Sequence, residues 1–269
     1  MSSKCQSCGS ENSIEFLGNE NSKAVAYFCK DCFLVQVKKS PGSSMVEVED
    51  KKQTEKQIVA NSKSVNDFIE NYNLNEDSFV LELVPRLSIL RNFFKDKNID
   101  CVTAKSVDDS VTEPFGIEKA WEFISASHPI SKGRKPDLIY ASNVLSHSHD
   151  VNEVLEAIML IMKDGGTFIL DDTYLGSVFK LKNRADIANK SDLWFSTHSL
   201  DKACENHGLK IVDANLLDNN DYEDDDLIRM RWCIQHDNMF SISPNVISLM
   251  GLEAERGYTS DATFMKYSE

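Results

Sequence analysis

The sequence contains no apolar run long enough to cross a bilayer, which takes about 20 residues in a helix. Its first ten residues, MSSKCQSCGS, also lack the hydrophobic stretch of a signal peptide. From these two absences we expect a cytoplasmic protein without a membrane segment.

Basic residues are scarce relative to acidic ones. The chain has 29 Lys and Arg residues against 43 Asp and Glu residues, which gives a formal net charge of -14. A protein with this charge repels the phosphate backbone of nucleic acids, so we expect no direct nucleic-acid partner. Hydrophobic residues make up 41% of the 269 residues, which is enough for a packed core and excludes a disordered chain.

Four of the seven cysteines form two C-x-x-C pairs, namely Cys5 with Cys8 and Cys29 with Cys32. Two such pairs favour one tetrahedral zinc ion over a redox dithiol or a chance pairing. Four thiolates leave no open coordination position, so the zinc would be structural. The sequence therefore predicts a zinc ribbon over residues 1–40. The remaining cysteines are scattered, as buried thiols are in a reducing compartment.

The rest of the chain divides by composition into a linker, a main domain and a tail. Residues 41–63 are rich in Lys, Ser, Glu and Gln and begin with a Pro-Gly turn, which predicts a linker. Residues 64–242 are predicted as the main domain and residues 243–269 as a helical C-terminal tail.

Predicted strands and helices alternate in the main domain. The strands are expected at 79–83, 100–103, 137–141, 167–170, 209–212 and 231–234, and the helices at 64–72, 87–97, 151–162 and 200–206. This order predicts an α/β protein with a doubly wound, mostly parallel sheet that is covered by helices on both faces.

The motif order resembles that of class I S-adenosylmethionine (SAM)-dependent methyltransferases. Residues 143–147 (NVLSH) followed by 163–168 (KDGGTF) are similar to the sequence around the fourth and fifth strands of that fold. Together with the ribbon segment 28–36 (FCKDCFLVQ), the chain resembles the first two thirds of zinc-containing nucleotide-sugar C-methyltransferases. The resemblance implies a class I methyltransferase-like, Rossmann-like domain, with Glu82 and Asn143 as the cofactor-binding residues if SAM is bound.

The cofactor and catalytic motifs of that family are altered in this chain. A glycine-rich turn should follow the first strand, because only glycine lets the backbone approach the cofactor closely, yet residues 84–88 read VPRLS. Where an acid should bind the ribose hydroxyls, the chain has Thr103, and Asp108 and Asp109 come several residues later. The family's catalytic Tyr-His-Glu-His segment aligns with residues 188–191, which read ANKS. None of these four is a general base at neutral pH, so we predict no catalytic residue.

Four other polar groups have both a structural and a functional interpretation. His147 and His149 follow a strand at the edge where such sheets bind ligands, although a histidine in a turn more often packs or caps. Asp171, Asp172 and Tyr174 follow the next strand, where capping is at least as common as ligand binding. Ser196 and His198 stand at a predicted helix start, where such residues are common. The acidic stretch 218–226 is interpreted mainly as a solvated loop.

These observations leave three hypotheses. The leading one is a degenerate methyltransferase that has lost SAM binding and catalysis and acts as a binding or structural component, with a protein partner or further copies of itself. The second is an active SAM-dependent C-methyltransferase that acts on a nucleotide sugar or a related small acceptor. The third is a half-enzyme that a separate C-terminal domain completes.

Overall fold

The computed structural model describes most of the chain. The described residues are 4–17, 24–39, 55–84, 90–105, 120, 131–181, 187, 190–217, 227–237 and 243–255.

A small antiparallel sheet forms from the N-terminal strands. These strands are β1 (Ser13–Leu17), β2 (Ala24–Cys29) and β3 (Val35–Lys39). β2 pairs with β1 on one side and with β3 on the other, in antiparallel register throughout. β3 begins at Val35, two residues after Phe33. Phe33 has a φ of +68° and so belongs to the turn before the strand.

The main sheet has six described strands. They are β4 (Phe79–Val84), β5 (Asp100–Lys105), β6 (Leu138–Ser142), β7 (Thr167–Thr173), β9 (Leu209–Leu216) and β10 (Arg229–His236). Their order is β5-β4-β6-β7-β10-β9. The first four are parallel, whereas β10 runs antiparallel to both β7 and β9. The predicted mostly parallel α/β sheet is thus confirmed.

One further strand links the two sheets. β8 (Leu193–Trp194) lies between elements of the main domain in the chain, yet it pairs antiparallel with β3 and so becomes the fourth strand of the ribbon sheet. Buried side chains of both sheets also belong to one continuous core, for example Phe28 and Leu34 of the ribbon with Leu81 and Phe168 of the main sheet. The ribbon is therefore built into the main domain by its backbone and by its core.

Helices cover the main sheet on both faces. The helices are α1 (Glu55–Asn71), α2 (Arg91–Asp96), α3 (Val151–Ile161), α4 (Thr197–Glu205) and α5 (Pro244–Glu255). Phe68 of α1 and Phe94 of α2 pack on one face with Val80 and Ile169, whereas Leu155 of α3 packs in the core on the other face. This is the doubly wound arrangement that the sequence predicted.

Two helices begin earlier than predicted. α1 starts at Glu55, inside the segment 41–63 that composition predicted as a linker, because the run of Glu, Lys, Gln and Ala there also favours a helix. α4 starts at Thr197 rather than at residue 200. Ser196 and Ser199 form a capping box, each hydroxyl bonding the other residue's backbone N–H at 2.9 Å, and this pair sets the helix start.

In the described part of the chain, every helix is too short or too polar to cross a membrane.

Candidate functional site

The four cysteines of the C-x-x-C pairs converge at one end of the ribbon sheet. Their sulfur atoms all lie within 4.8 Å of one another, with Cys5 Sγ 3.5 Å from Cys32 Sγ and Cys8 Sγ 3.6 Å from Cys29 Sγ. A tetrahedral zinc ion with Zn–S bonds of about 2.3 Å places its sulfurs about 3.8 Å apart. The cluster therefore has the size and the donor chemistry that a zinc ion requires. In the described residues, no other group of three or more His, Cys, Asp or Glu side chains comes close enough to share an ion.

Both cysteine turns close in the same way. The residue that follows the second cysteine of each pair has a left-handed backbone, with φ of +74° at Gly9 and +68° at Phe33. This geometry lets the Gly9 N–H donate to the Cys5 carbonyl and the Phe33 N–H donate to the Cys29 carbonyl. Glycine adopts this backbone freely, whereas Phe33 is held there by the surrounding core.

The thiols of the cluster influence one another's protonation. The pKa of Cys29 is lowered, chiefly because the Cys32 and Cys5 thiols donate hydrogen bonds to its sulfur. The pKa values of Cys5 and Cys32 are raised, and their hydrogen bond with Cys29 is the largest cause in each case. A divalent cation binds the thiolate form of cysteine, so its binding would release the protons of these thiols.

The main domain holds the first cysteine turn with side-chain hydrogen bonds. The Ser7 hydroxyl donates to the Ser199 carbonyl of α4. The Asn152 amide donates to the Gln6 carbonyl at 2.8 Å, and the Asn206 amide donates to the Ser7 carbonyl at 3.0 Å. A cavity of about 380 Å³ lies beside this turn and includes His149 in its lining, so the structure places His149 near the first cysteine turn.

The carboxyl ends of β4, β5, β6 and β7 form the edge where parallel sheets bind ligands. Glu82 is fully buried near this edge, and both of its carboxylate oxygens are hydrogen-bonded within the protein. Oε1 accepts from the Leu90 backbone N–H at 2.7 Å, and Oε2 accepts from the Thr103 hydroxyl at 3.1 Å. Thr103, the residue considered for the ribose, is thus bonded to Glu82.

Asn143, the second expected cofactor residue, is also hydrogen-bonded to other residues of the protein. Asn143 follows β6 with a left-handed backbone, φ +53°, and its backbone N–H donates to the Asp171 carbonyl. Its side-chain oxygen accepts a hydrogen bond from the Arg229 guanidinium at 2.9 Å. Sequence alone did not identify Arg229, which lies on the antiparallel strand β10.

Part of the expected cofactor site lies outside the described residues. This applies to residues 85–89, Asp108 and Asp109. Ala188 and Asn189 of the catalytic alignment and the acidic stretch 218–226 also lie outside the described residues. The strand β4 itself continues to Val84, which pairs in register with Lys105 at the end of β5. The backbone is therefore extended at the position where a glycine turn would begin.

Asp171 belongs to a buried ion pair. The Arg231 guanidinium donates to both oxygens of Asp171, from Nε at 2.7 Å and from Nη2 at 2.6 Å, and the Tyr140 hydroxyl donates to Oδ2 at 3.1 Å. The same guanidinium stacks over the Phe68 ring, 4.7 Å from its centroid. These contacts support a structural role for Asp171, one of the two interpretations that the sequence allowed.

Asp172 points to the opposite face of the sheet and is completely buried. It accepts hydrogen bonds from the backbone N–H groups of Ser146 at 3.0 Å and Thr173 at 2.7 Å. Burial raises the pKa of its carboxyl group, and these hydrogen bonds and the nearby His147 oppose the rise. Asp172 therefore anchors the 3-10 helix Leu145–His147, which follows β6.

His147 has a carboxylate neighbour that the sequence did not reveal. Its Nδ1 lies 3.7 Å from Asp192 Oδ2, and the two side chains are 28% and 24% exposed. Asp192 directly follows Ser191, whose hydroxyl donates to the Leu193 carbonyl at 2.6 Å and lies 3.2 Å from the Ser146 carbonyl. Ser191 is thus structural, whereas His147 and Asp192 reach solvent at the carboxyl edge.

The remaining candidates have structural roles. Ser196 caps α4 as described above. The backbone N–H of His198 donates to Glu253, and its ring packs on Phe33 with centroids 5.2 Å apart. Tyr174 donates its hydroxyl proton to Glu253 at 3.0 Å.

Comparison with known proteins gives one family match and one similar protein of assigned activity. The family model described as a methyltransferase domain matches residues 49–214. C-methyltransferase NovU of Streptomyces niveus is 28% identical over 97 residues, which are 36% of this chain and 22% of NovU. This chain therefore aligns with less than a quarter of the length of NovU.

Solved structures with a similar fold include two methyltransferases. The glycopeptide N-methyltransferase MtfA in complex with sinefungin is 9% identical, with a TM-score of 0.43, and the match covers 65% of this chain and 94% of MtfA. The 1,6-didemethyltoxoflavin-N1-methyltransferase of Burkholderia thailandensis is 10% identical, with a TM-score of 0.45, and the match covers 67% of this chain and 78% of that enzyme. At these values nothing about activity follows from the two matches.

Proposed function

This chain belongs to the methyltransferase domain family and has the class I methyltransferase fold, and from that premise we propose that it has lost SAM binding and catalysis. Its function is then to bind a protein partner, or further copies of itself, as a structural component of a larger assembly. Fold alone does not decide between this role and an active enzyme. The proposal therefore depends on whether SAM can still bind at the carboxyl ends of β4, β5, β6 and β7, which we call the cofactor edge.

The observation that carries the proposal is that both expected cofactor residues are hydrogen-bonded to other residues of the protein. The Glu82 carboxylate accepts hydrogen bonds from the Leu90 backbone and the Thr103 hydroxyl and has no exposed surface. Asn143 accepts from Arg229. A cofactor that needs these groups must break the existing hydrogen bonds, and each buried polar group left without a partner costs about 1–3 kcal/mol.

The end of β4 supports the same proposal. A cofactor approaches the backbone closely where side chains are absent, which is why glycines occupy this turn in dinucleotide and related sites. Here the extended backbone continues to Val84, and Lys105 stands opposite it on β5. Thr103, at the position where an acid should bind the ribose, donates its hydroxyl proton to Glu82, so the described part of β5 supports the same conclusion.

We also propose that the cysteine cluster holds one structural zinc ion. The sulfur distances, the four-thiol donor set and the paired left-handed turns support this assignment. The cytoplasm is the proposed compartment, because Cys101, Cys204 and Cys233 are scattered through the sequence as in proteins of reducing compartments.

A second candidate function is an active SAM-dependent C-methyltransferase on a nucleotide sugar or another small acceptor. The observation that favours it is the partly exposed pair of His147 and Asp192 at the carboxyl edge, because an imidazole beside a carboxylate is a common general base. A partner that supplies a C-terminal domain would be a variant of this candidate.

Calorimetric titration with SAM and with S-adenosylhomocysteine separates the two candidates. We expect no saturable binding up to millimolar ligand and no rise in Tm, because the cofactor edge is closed by internal hydrogen bonds. Saturable binding at micromolar levels, with the Tm rise that linkage requires, would overturn the proposal. In that case Glu82→Gln should weaken the binding and the exposed control Asp164→Asn should not.

A further inference from the structure

We propose that Asn206 is a positioning residue for the zinc ion: it holds the peptide group between Ser7 and Cys8 so that the Cys8 N–H donates to the sulfur of Cys5. Asn152 and His207 hold the preceding peptide group of the same turn. These roles rest on the proposed zinc site and deepen it, because they assign part of the zinc affinity to side chains of the main domain.

The peptide group between Ser7 and Cys8 connects the main domain with a cysteine sulfur. Its carbonyl accepts a hydrogen bond from the side-chain amide of Asn206 at 3.0 Å. Its N–H, which belongs to Cys8, is hydrogen-bonded to the Cys5 sulfur. A trans peptide group is planar, with its C=O and its N–H pointing in opposite directions. Because Asn206 fixes the direction of the carbonyl, it also fixes the direction of the N–H.

The same hydrogen bond to sulfur occurs in the second cysteine turn, where the Cys32 N–H is bonded to the sulfur of Cys29. Each turn thus directs one backbone N–H at the sulfur of its first cysteine. Zinc binds cysteine as the thiolate, and a hydrogen bond to a charged acceptor is stronger than one to a neutral acceptor. An N–H that is held in this direction therefore stabilises the metal-bound form of the turn.

The end of α4 places Asn206 at this turn. Asn206 is the C-cap residue of α4, and its backbone N–H donates to the Cys204 carbonyl. The hydroxyl of Ser7 donates to the Ser199 carbonyl of the same helix, and Ser7 is only 1% exposed. The first cysteine turn is therefore bonded to α4 on both sides of the peptide group that carries the Cys8 N–H.

Asn152 and His207 hold the peptide group before it. The side-chain amide of Asn152 donates to the Gln6 carbonyl at 2.8 Å, and a carbonyl oxygen only accepts, so the NH₂ group of Asn152 must face Gln6. The Asn152 side-chain oxygen then faces His207, whose Nε2 lies 3.1 Å away. Since this oxygen carries no hydrogen, His207 must hold a proton on Nε2. The bond to Gln6 thus fixes the tautomer of His207.

The experiment measures zinc affinity by competition with a chromogenic chelator, using the full chain. Asn206→Asp preserves the size of the side chain but removes the amide donor, and it should lower the zinc affinity about tenfold, as is typical when residues that orient metal ligands are changed. The added negative charge by itself attracts Zn²⁺ and so cannot cause this loss. Asn206→Gln retains an amide donor and should recover part of the affinity. Asn152→Asp should also weaken binding, because a carboxylate cannot donate to the Gln6 carbonyl.

Asn245→Asp is the matched control, since Asn245 is an exposed asparagine of α5; it should bind zinc as the wild type does. Cadmium-113, which thiolates also bind, gives a spectroscopic readout. In the cadmium-loaded wild type, the Cys8 amide proton should show scalar coupling to the metal through the Cys5 sulfur, and Asn206→Asp should lose this coupling. A fold that is merely less stable would retain it in the molecules that hold metal.

Two results would overturn the role of Asn206 and leave the zinc site standing: equal zinc affinity in Asn206→Asp and Asn245→Asp, or no coupling of the Cys8 amide to cadmium in the wild type. Nitrogen-15 spectra of the wild type should show the His207 proton on Nε2 at pH 8, and a proton on Nδ1 alone would overturn the role of Asn152 and His207. A wild-type protein that binds neither metal would refute the zinc site together with both roles. All of these results are independent of the SAM titration.

Discussion

Glu253 on α5 caps the N-terminus of α4, because its Oε1 lies 2.7 Å from the backbone nitrogen of Thr197. Oε2 accepts from the next backbone N–H, that of His198, at 3.1 Å. The carboxylate thus occupies the position of a helix-capping anion, which the helix dipole stabilises. Because α4 also bonds the first cysteine turn through Ser199, this one helix connects the ribbon with the C-terminal helix.

This cap predicts a specific pH dependence of stability. Burial raises the pKa of Glu253 above its ordinary value of 4.5. A raised carboxyl pKa contributes stability that is fully present below the unfolded-state pKa and is lost as the pH rises through the folded-state pKa. Glu253→Gln carries no titrating group and should be less stable than the wild type at low pH by about 1 kcal/mol.

The wild-type advantage should therefore narrow as the pH rises above 4.5, the ordinary pKa of the carboxyl group, as measured by urea unfolding at a series of pH values. Asp172 titrates with the same sign but is present in both proteins, so it cancels in the difference. Parallel stability curves for the two proteins would contradict the assignment of this titration to Glu253.

Removal of one ligand of the proposed zinc ion should affect the whole domain. If the cluster holds zinc as proposed, Cys29→Ser should lose the ion and lower Tm by roughly 10 °C, which corresponds to several kcal/mol for a domain of this size. The physical reason is that Cys29 and Phe28 share a core with Trp194 of the main domain. Metal analysis by mass spectrometry together with thermal unfolding checks both effects.

Cys101→Ser is the matched control for that experiment, because Cys101 is a partly buried thiol of β5 outside the cluster. It should retain one equivalent of zinc. Unchanged zinc content in Cys29→Ser would refute the metal site. A separate low-temperature transition for the ribbon would contradict its integration into the core.

Asn143 combines a left-handed backbone with a side-chain hydrogen bond to Arg229, and two substitutions separate these effects. Asn143→Gly loses the hydrogen bond but retains an unstrained backbone at φ +53°. Asn143→Ala loses the bond and adds a strained backbone, which costs about 1–2 kcal/mol. Urea unfolding should therefore rank the alanine variant below the glycine variant, and equal stabilities would show that the backbone is not strained there.

The ion pair of Arg231 with Asp171 should matter far more than an exposed pair. Arg231→Met leaves a carboxylate of 1% exposure without its partner, and loss of one member of a buried pair costs about 3–5 kcal/mol. The control is Arg134→Met, whose partner Asp100 is 69% exposed; a pair of that kind is worth about 0–1 kcal/mol.

The double substitution of Asp171→Asn and Arg231→Met tests the same ion pair in another way. It should recover part of the loss, because no buried charge then remains unpaired. Chemical unfolding of the three variants measures these differences. Similar losses in Arg231→Met and Arg134→Met would contradict the structural role assigned to the buried pair.

The sequence by itself determined the local features of this protein. The spacing of Cys5 and Cys8, and of Cys29 and Cys32, indicated two cysteine turns, and each turn is closed by residues within it. The alternation of apolar segments with polar turns indicated the order of strands and helices. These features are readable because they depend on hydrogen bonds and burial among residues close together in the chain.

Only the tertiary structure decided the contacts between distant segments. Asp192 lies beside His147 because β8 joins the ribbon sheet, and Glu82 is closed off because β5 places Thr103 opposite it. Glu253 reaches Thr197 across the end of α4. Periodicity records which face of a segment is buried but not which distant segment covers it. The order of strands in the sheets therefore determines whether a cofactor can reach the carboxyl ends of the strands. Strand order depends on contacts between distant segments and cannot be predicted from a local sequence pattern.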